Sequence, residues 1–290
     1  MSEKNRMFRK MLNEPGMIIA PGVHDAIGAR ALQMAGFKVG YLTGNGMTAS
    51  RIGVPDIGLA TQTEMATWAN NISSCVEVPI ICDSDNGYGD VTNTWRTVRA
   101  FEDAGISAIH IEDQGFPKKC GCYAGVNLVS EEDAVKRIKV ALKARRDPDF
   151  VIIARTDARR AMGSLDEAIR RGRLFEKAGA DVLFFEQLEN KDEIKEIIKA
   201  FPNTPVMYDI LEERRDLIYT TDEVAALGVK ICIFALSSVL STALSMMELM
   251  NIIKNTHTTL SLFDGNKLME LHKYEELMGI NQMTDLQNEH

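Results

Sequence analysis

Val78–Asp113, VPIICDSDNGYGDVTNTWRTVRAFEDAGISAIHIED, is the stretch that decides the fold. It opens on an apolar run ending in acid, Val78–Asp83 (VPIICD), and closes on a second, Ala108–Glu112 (AIHIE). Between them lies a helix-like segment, Thr92–Ala104, followed by Gly105, the residue type expected just beyond a helix C-terminus. Runs that are apolar throughout, rather than alternating, are what strands buried on both faces require. The stretch therefore reads as strand, crossover helix, parallel strand.

The same unit repeats in both directions. Further runs are Met17–Ala20 (MIIA), Val39–Thr43 (VGYLT), Phe150–Arg155 (FVIIAR), Asp181–Glu186 (DVLFFE), Pro205–Asp209 (PVMYD) and Lys230–Phe234 (KICIF). From residue 17 to residue 230 there are seven intervals of about 30 residues, the length of a βα unit. Helices are predicted over Asp25–Ala35, Thr63–Ser73, Ser130–Arg145, Leu165–Ala178, Asn190–Ala200 and Asp222–Leu227. Eight strands with helices between them predict a (β/α)₈ barrel. An open doubly wound sheet is the alternative, but the first βα turn, PGVHDA, has no G-x-G-x-x-G.

The chain has 290 residues, of which 45% are hydrophobic, and a net charge of −8 (33 Lys+Arg against 41 Asp+Glu). That apolar fraction excludes disorder, and the acidic balance argues against nucleic acid as the main partner. No apolar run is long enough to span a membrane, and the charged start MSEKNRMFRK has no signal-peptide core, so a cytoplasmic protein is expected. A single barrel domain over about 15–253 accounts for most of the chain. A Met/Leu-rich helix over Ser238–Ile253 and a helical tail, about 254–290, follow the last strand. The apolar positions of this surplus need a partner surface, either the barrel's own outside or another subunit. Five cysteines are an odd number and predict no disulfide framework.

Barrel sites lie at the C-terminal ends of the strands. Those ends here carry Thr43-Gly44-Asn45, Asp83-Ser84-Asp85, Glu112-Asp113, Arg155-Thr156-Asp157, Glu186 and Asp209. Asp83 and Asp85, two residues apart, are expected on one side of their strand, with Glu112 converging from the next. Three carboxylates so close repel one another, and a divalent cation removes that cost. All-oxygen ligands favour Mg²⁺ or Mn²⁺ over Zn²⁺; a hydrogen-bonded carboxylate network without metal is the alternative. Arg155 matches a substrate carboxylate, or else neutralises Glu186 or Asp157. No strand end carries a lysine, which disfavours a Schiff-base aldolase. The turns after the last two strands lack the glycines of a barrel phosphate site.

The fourth βα loop, Gln114–Leu128 (QGFPKKCGCYAGVNL), is long, with three glycines and a proline, and reads as a mobile lid. Cys120 follows Lys118 and Lys119, whose charges are expected to favour its thiolate. A titratable cysteine on a lid can exchange a proton as the lid closes. Cys120-Gly121-Cys122 could also be a metal half-site, but no second half-site follows. A surface cysteine without function is the bland alternative.

These pieces resemble the phosphoenolpyruvate mutase/isocitrate lyase superfamily. The matching motifs are YLTGNG (Tyr41–Gly46), GVPDIG (Gly53–Gly58), CDSDNGYG (Cys82–Gly89), HIEDQ (His110–Gln114), PKKCG (Pro117–Gly121) and ARTDA (Ala154–Ala158), spread in order over about 15–250. The chain is most similar to the short lyases of 2-methylisocitrate or 2,3-dimethylmalate. The resemblance implies a Mg²⁺-dependent barrel that cleaves a carbon–carbon bond of a 2-hydroxy dicarboxylate, and homotetramers that exchange a C-terminal helix. It implies that Asp83, Asp85 and Glu112 surround the metal, directly or through water, with Asp56 nearby. Thr43, Gly44 and Asn45 would hold the pyruvate-like carboxylate and keto oxygen. Arg155 and Glu186 would line the pocket, and Cys120 and Gly121 would sit on the lid with Cys120 as proton donor. Tyr41 is the candidate acceptor for the substrate's hydroxyl proton.

The chain also departs from the family pattern. Cys122 stands where a lid His is usual, and Leu240 where lyases of methylisocitrate have an Arg. A second expected Arg is replaced around Gly265, and Asp209 replaces the usual Asn. Losing two cations while gaining an anion disfavours a tricarboxylate, so a methyl-bearing malate, split to pyruvate and propanoate, is expected. Methylisocitrate cleavage, oxaloacetate hydrolysis or decarboxylation, and a catalytically silent oligomeric barrel are the alternatives.

Overall fold

In the computed structural model, which describes residues 1–210, 212 and 214–289, the eight apolar runs are strands. They are β1 (Ile18–Val23), β2 (Gly40–Leu42), β3 (Ile80–Asp83), β4 (Ala108–Glu112), β5 (Val151–Thr156), β6 (Val182–Phe185), β7 (Val206–Asp209) and β8 (Ile231–Phe234). Each pairs in parallel with its sequence neighbour, and β8 returns to β1, closing the barrel. β1 runs three residues beyond the apolar run that predicts it. Pro21-Gly22 looks like a turn in the sequence, but Pro21 sits opposite Phe234 in the ladder.

Period-two alternation divides every strand between two cores. Ile18, Ala20, Tyr41, Ile81, Ala108, Val151, Ile153, Val182, Phe184, Met207, Ile231 and Ile233 fill the barrel interior. The intervening residues, among them Leu42, Ile80, Cys82, Ile109, Ile152, Leu183, Tyr208 and Cys232, pack outward on the helices. Burial of both sets explains why the sequence showed no alternation.

The predicted helices form with ends shifted by a residue or two; Leu165–Ala178 coincides with its prediction. Three further α-helices were hidden in the sequence, among them the short Ala158–Met162 after β5. Glu3–Asn13 is mostly polar, yet its Phe8 and Leu12, one turn apart, pack with the interior residues and stop the N-terminal end of the barrel. Gly44–Ile52 starts directly after β2, where glycines read as loop. Beyond β8, Ser237–Thr256 is a 20-residue helix with no buried residue, followed by short helices at Leu260–Asp264, Leu271–Leu277 and Ile280–Asn288. Among the described residues, no helix is long and apolar enough to cross a membrane.

Candidate active site

Strand parity decides which polar side chains meet. Tyr41, Asp83, His110, Glu112, Arg155 and Asp209 share the inward parity of the interior core, two residues or a multiple of two from Ile81, Ala108, Ile153 and Met207. Cross-strand pairing sets Asp83 against His110 and Arg155 between Glu112 and Phe184. One pocket at the C-terminal strand ends is lined by Tyr41, Thr43, Asn45, Asp56, Asp83, Glu112, Arg155, Glu186 and Asp209. Lys118, Cys120, Gly121 and Cys122 of the lid line the same pocket.

Asp85 reaches this region by a different route from the one expected. β3 ends at Asp83, and Asp85 adopts a left-handed backbone (φ 49°) while its N–H donates to Asp83 Oδ1 at 2.9 Å. A tight turn, not strand alternation, brings the two carboxylates together. Gly44, at the start of the helix that follows β2, lies against Asp83: a Cβ there would stand 2.4 Å from Asp83 Oδ2. Thr43 caps the helix that begins at Gly44, accepting from Gly46 N–H at 3.4 Å, so the helix's first turn faces the site.

The acids are arranged around a lysine. Lys118 Nζ is 2.6 Å from Asp56 Oδ1 and 2.5 Å from Asp85 Oδ1, and the side chain is buried. Burial alone would lower the Lys118 pKa, but Asp85, Asp56, Asp83 and Glu112 outweigh it and raise it well above its ordinary value. Positive charge is nevertheless short. Burial, with Asp83 and Asp56 adding to it, lifts Asp85 to about 7 against the pull of Lys118. Burial likewise pushes Glu112 well up despite Arg155. Asp83 moves the other way: burial would raise it, but His110, Lys118 and Arg155 hold it at about 2.

Arg155 donates from Nε and Nη2 to the two oxygens of Asp157 (3.1 and 2.9 Å). It also lies 3.5 Å from Glu112 and from Glu186. Its guanidinium lies over the Phe184 ring, 5.3 Å from the ring centre, a cation–π contact. Asp113, next to Glu112, points outward and braces β5 instead, accepting from Thr156 Oγ1 (2.7 Å), Asp157 N–H (3.0 Å) and Arg171 (3.1 Å).

Tyr41 Oη is 2.9 Å from His110 Nε2. Burial lowers the His110 pKa to about 4, so the ring is neutral at physiological pH. Among the described residues its buried Nδ1 has no hydrogen-bond partner. A bare lone pair there costs less than an unpaired N–H, which assigns the proton to Nε2. Nε2–H then donates to Tyr41 and leaves the phenolic proton free to be donated. Burial, and then Asp83, raise the Tyr41 pKa well above 10, which suits donation better than proton abstraction.

The lid is seated on the barrel. Gln114 clamps Lys119 in both directions, Nε2 donating to its carbonyl (2.8 Å) and Oε1 accepting from its N–H (2.9 Å). Cys120 N–H donates to the Asp56 carbonyl at 2.9 Å. Gly121 lies so close to Glu186 that a Cβ would come within 2.6 Å of it. The space left in the pocket is about 30 Å³, room for little more than a water. A neighbouring cavity of about 290 Å³ lies beyond Lys118, which lines both. The Cys120 thiol is held below its ordinary value, as expected, but by a different partner. The hydrogen bond to Cys122 is the largest cause, opposed by burial and Asp56, while Lys118 is occupied by carboxylates.

His110 and Phe184 belong to the site although the sequence did not mark them for it; Asp157 was foreseen as a partner of Arg155, and Lys118 as a charge beside Cys120 rather than as a partner of the acids. A histidine inside a buried apolar strand, two residues before Glu112, was the available signal for His110. The pairing of Lys118 with Asp56 and Asp85 had no signal, because those partners come from two other loops.

Among the described residues, no three His, Cys, Asp or Glu side chains are grouped closely enough to hold a metal ion by themselves. The donors at the Lys118 cluster are all carboxylate oxygens, two of which already hold a cation. Mg²⁺ characteristically takes one or two carboxylates and keeps several waters, so Asp83, Asp85, Glu112 and Asp56 fit such an ion.

Fold and site together define a (β/α)₈-barrel protein with an acidic, lid-covered pocket at the C-terminal ends of its strands. Residues 8–254 match the family described as phosphoenolpyruvate phosphomutase. The chain belongs to the phosphoenolpyruvate mutase/isocitrate lyase superfamily. It is 39% identical to a 2,3-dimethylmalate lyase of Eubacterium barkeri, over 97% of this chain and 96% of the relative. It is also 39% identical to a 2-methylisocitrate lyase of Aeropyrum pernix, over 80% and 74%. A solved phosphonopyruvate hydrolase, in complex with oxalate and Mg²⁺, superposes with a TM-score of 0.89 at 29% identity, covering 99% of both chains.

Proposed function

We propose that this protein is a Mg²⁺-dependent carbon–carbon lyase that splits 2,3-dimethylmalate into pyruvate and propanoate. One observation carries the reading: a lid thiol, Cys120, faces a buried acid cluster and Arg155 across one small pocket. The near full-length similarity to a 2,3-dimethylmalate lyase supports it. Bound at Asp83, Asp85, Glu112 and Asp56, the metal would balance the carboxylates and polarise the substrate's C2 oxygen.

The first turn of helix Gly44–Ile52, with Thr43 and Asn45, holds the C1 carboxylate, since free N–H groups at a helix start favour an anion. Tyr41, positioned by His110, donates to a substrate oxygen. Arg155, with Glu186 beside it, orients the second carboxylate, and Asp209 lines the same pocket. As the hydroxyl proton passes to a carboxylate of the buried cluster, the C2–C3 bond breaks to pyruvate and a carboxylate-stabilised carbanion at C3. Cys120 protonates that carbon, which becomes the CH₂ of propanoate. Seating of Cys120 and Gly121 excludes water, so the carbanion meets only this acid.

The far wall of the pocket is apolar, with Phe184, Ala235 and Leu236. The cations lining it are Arg155, engaged with Asp157, Lys118, engaged with Asp56 and Asp85, and Lys119, whose ammonium donates to the Ala124 carbonyl. Methyl groups suit such a wall better than a third carboxylate does, which ranks methylisocitrate second. The protein acts, in this reading, as a cytoplasmic homotetramer that exchanges the C-terminal helix. The uncovered apolar surface of Ser237–Thr256 favours that arrangement.

The test is a lactate-dehydrogenase-coupled pyruvate assay with 2,3-dimethylmalate and 2-methylisocitrate, and direct detection of oxalate and of pyruvate released from oxaloacetate, each with Mg²⁺ and after EDTA dialysis. Mg²⁺-restorable cleavage of dimethylmalate is expected. Efficient cleavage of methylisocitrate but not dimethylmalate overturns the substrate, and full activity in EDTA overturns the metal. No turnover of any of the three favours the silent barrel.

A further inference from the structure

The proposed chemistry uses Cys120 and leaves Cys122 without a task. Neither thiol is in a disulfide, both are half-buried on the lid, and both line the same pocket. They occupy the first and third positions of a four-residue turn closed by Tyr123 N–H donating to the Cys120 carbonyl at 2.9 Å. Such a turn holds these two Cα atoms inside the window of roughly 4.4–6.8 Å that a disulfide spans. Gly121 between them has no side chain to intervene. From the other side, Gln187 Nε2 reaches the Cys122 sulfur at 3.9 Å. The remaining cysteines, Cys75, Cys82 and Cys232, lie elsewhere in the barrel, two of them fully buried.

We propose that Cys120 and Cys122 are a reversible oxidation switch, in which a hydroperoxide converts the pair to an intra-loop disulfide that stops turnover and a dithiol restores it. The sulfur of Cys120 attacks the terminal peroxide oxygen. The O–O bond breaks, an S–O bond forms, and the alcohol or water leaves with the thiol's proton. Cys122 then attacks the sulfenic sulfur; the S–S bond forms, the S–O bond breaks, and the hydroxyl departs as water with the Cys122 proton. The peroxide takes the two electrons. A linked Cys120 has no proton to deliver to a carbanion, so the consequence for turnover rests on the reading of Cys120 as proton donor. Cys122 also keeps Cys120 from advancing to the irreversible sulfinic acid, the task of a resolving cysteine.

The test treats the full-length protein with hydrogen peroxide and follows three readouts: the mass of the peptide carrying residues 120–122, the titre of free thiols, and turnover before and after dithiothreitol. The expected result is loss of two hydrogens from that peptide and of two thiols. Turnover falls roughly tenfold or more in step with the link and recovers on reduction. Cys122→Ser at the same dose should form no link, carry sulfinic acid at Cys120 and fail to recover. Oxidation of the wild-type protein without a 120–122 link overturns the switch and leaves the Cys120 reading intact, as does a Cys122→Ser variant that recovers as fully as the wild type. A complete link with undiminished turnover overturns both the switch and the role of Cys120.

Discussion

Gly44 and Cys120 set the conditions for chemistry at the scale of single residues. Gly44 lets the backbone after β2 touch Asp83, with only 2.4 Å available to an added Cβ. Gly44→Ala should therefore displace Asp83, costing ~1–3 kcal/mol of stability by overpacking and more than tenfold in kcat/KM. Thermal unfolding and steady-state kinetics check it, and a variant with unaltered kinetics would show that Asp83 has slack. Cys120→Ser removes the proposed acid but keeps the shape. Loss of a general acid typically costs ~10²–10⁴ in kcat, so a fall of that order with KM little changed is expected.

At the scale of elements, the lid and the strand ends act on each other through a few backbone contacts. The Gln114 clamp, the Cys120–Asp56 bond and the Gly121–Glu186 approach together seat residues 114–128. Gly121→Ala cannot seat fully, because its Cβ would meet Glu186 at 2.6 Å. Limited trypsin digestion should then cut at Lys118 and Lys119 faster than in the wild type, with kcat reduced. Equal digestion rates would mean that the lid tolerates the methyl group. The helix Gly44–Ile52 belongs at this scale too, since its capped start directs backbone N–H groups at the pocket.

For the whole molecule, the open question is the C-terminal helix. Helix Ser237–Thr256 shows apolar residues around its circumference, with Leu244 at 69% and Met247 at 66% exposure. A helix apolar on all sides belongs in a core, and each Leu or Met covered is worth ~1.5–3 kcal/mol. A Leu244→Glu, Met247→Glu double variant should sediment as a smaller species than the wild type while keeping the barrel's circular dichroism. Unchanged sedimentation would show that this face takes no part in assembly.

Much of this was legible from the sequence by itself. A strand buried on both faces has to be apolar throughout, and a barrel strand has to end where its chain turns polar. The eight runs and their terminal acids follow from those two requirements, as do Asp83, Glu112, Arg155 and Asp209 at the strand ends. Cys120 was visible as the reactive type in a Gly-rich loop. Tertiary structure decided what depends on contacts between distant segments. The left-handed turn that delivers Asp85, the burial of Lys118 between Asp56 and Asp85, and the Tyr41–His110 pair are such contacts. So is the cause of the low Cys120 pKa, which the neighbouring lysines seemed to supply and the Cys122 thiol provides. Burial and pairing depend on which side chains closure of the barrel brings together, and local pattern carries no record of that.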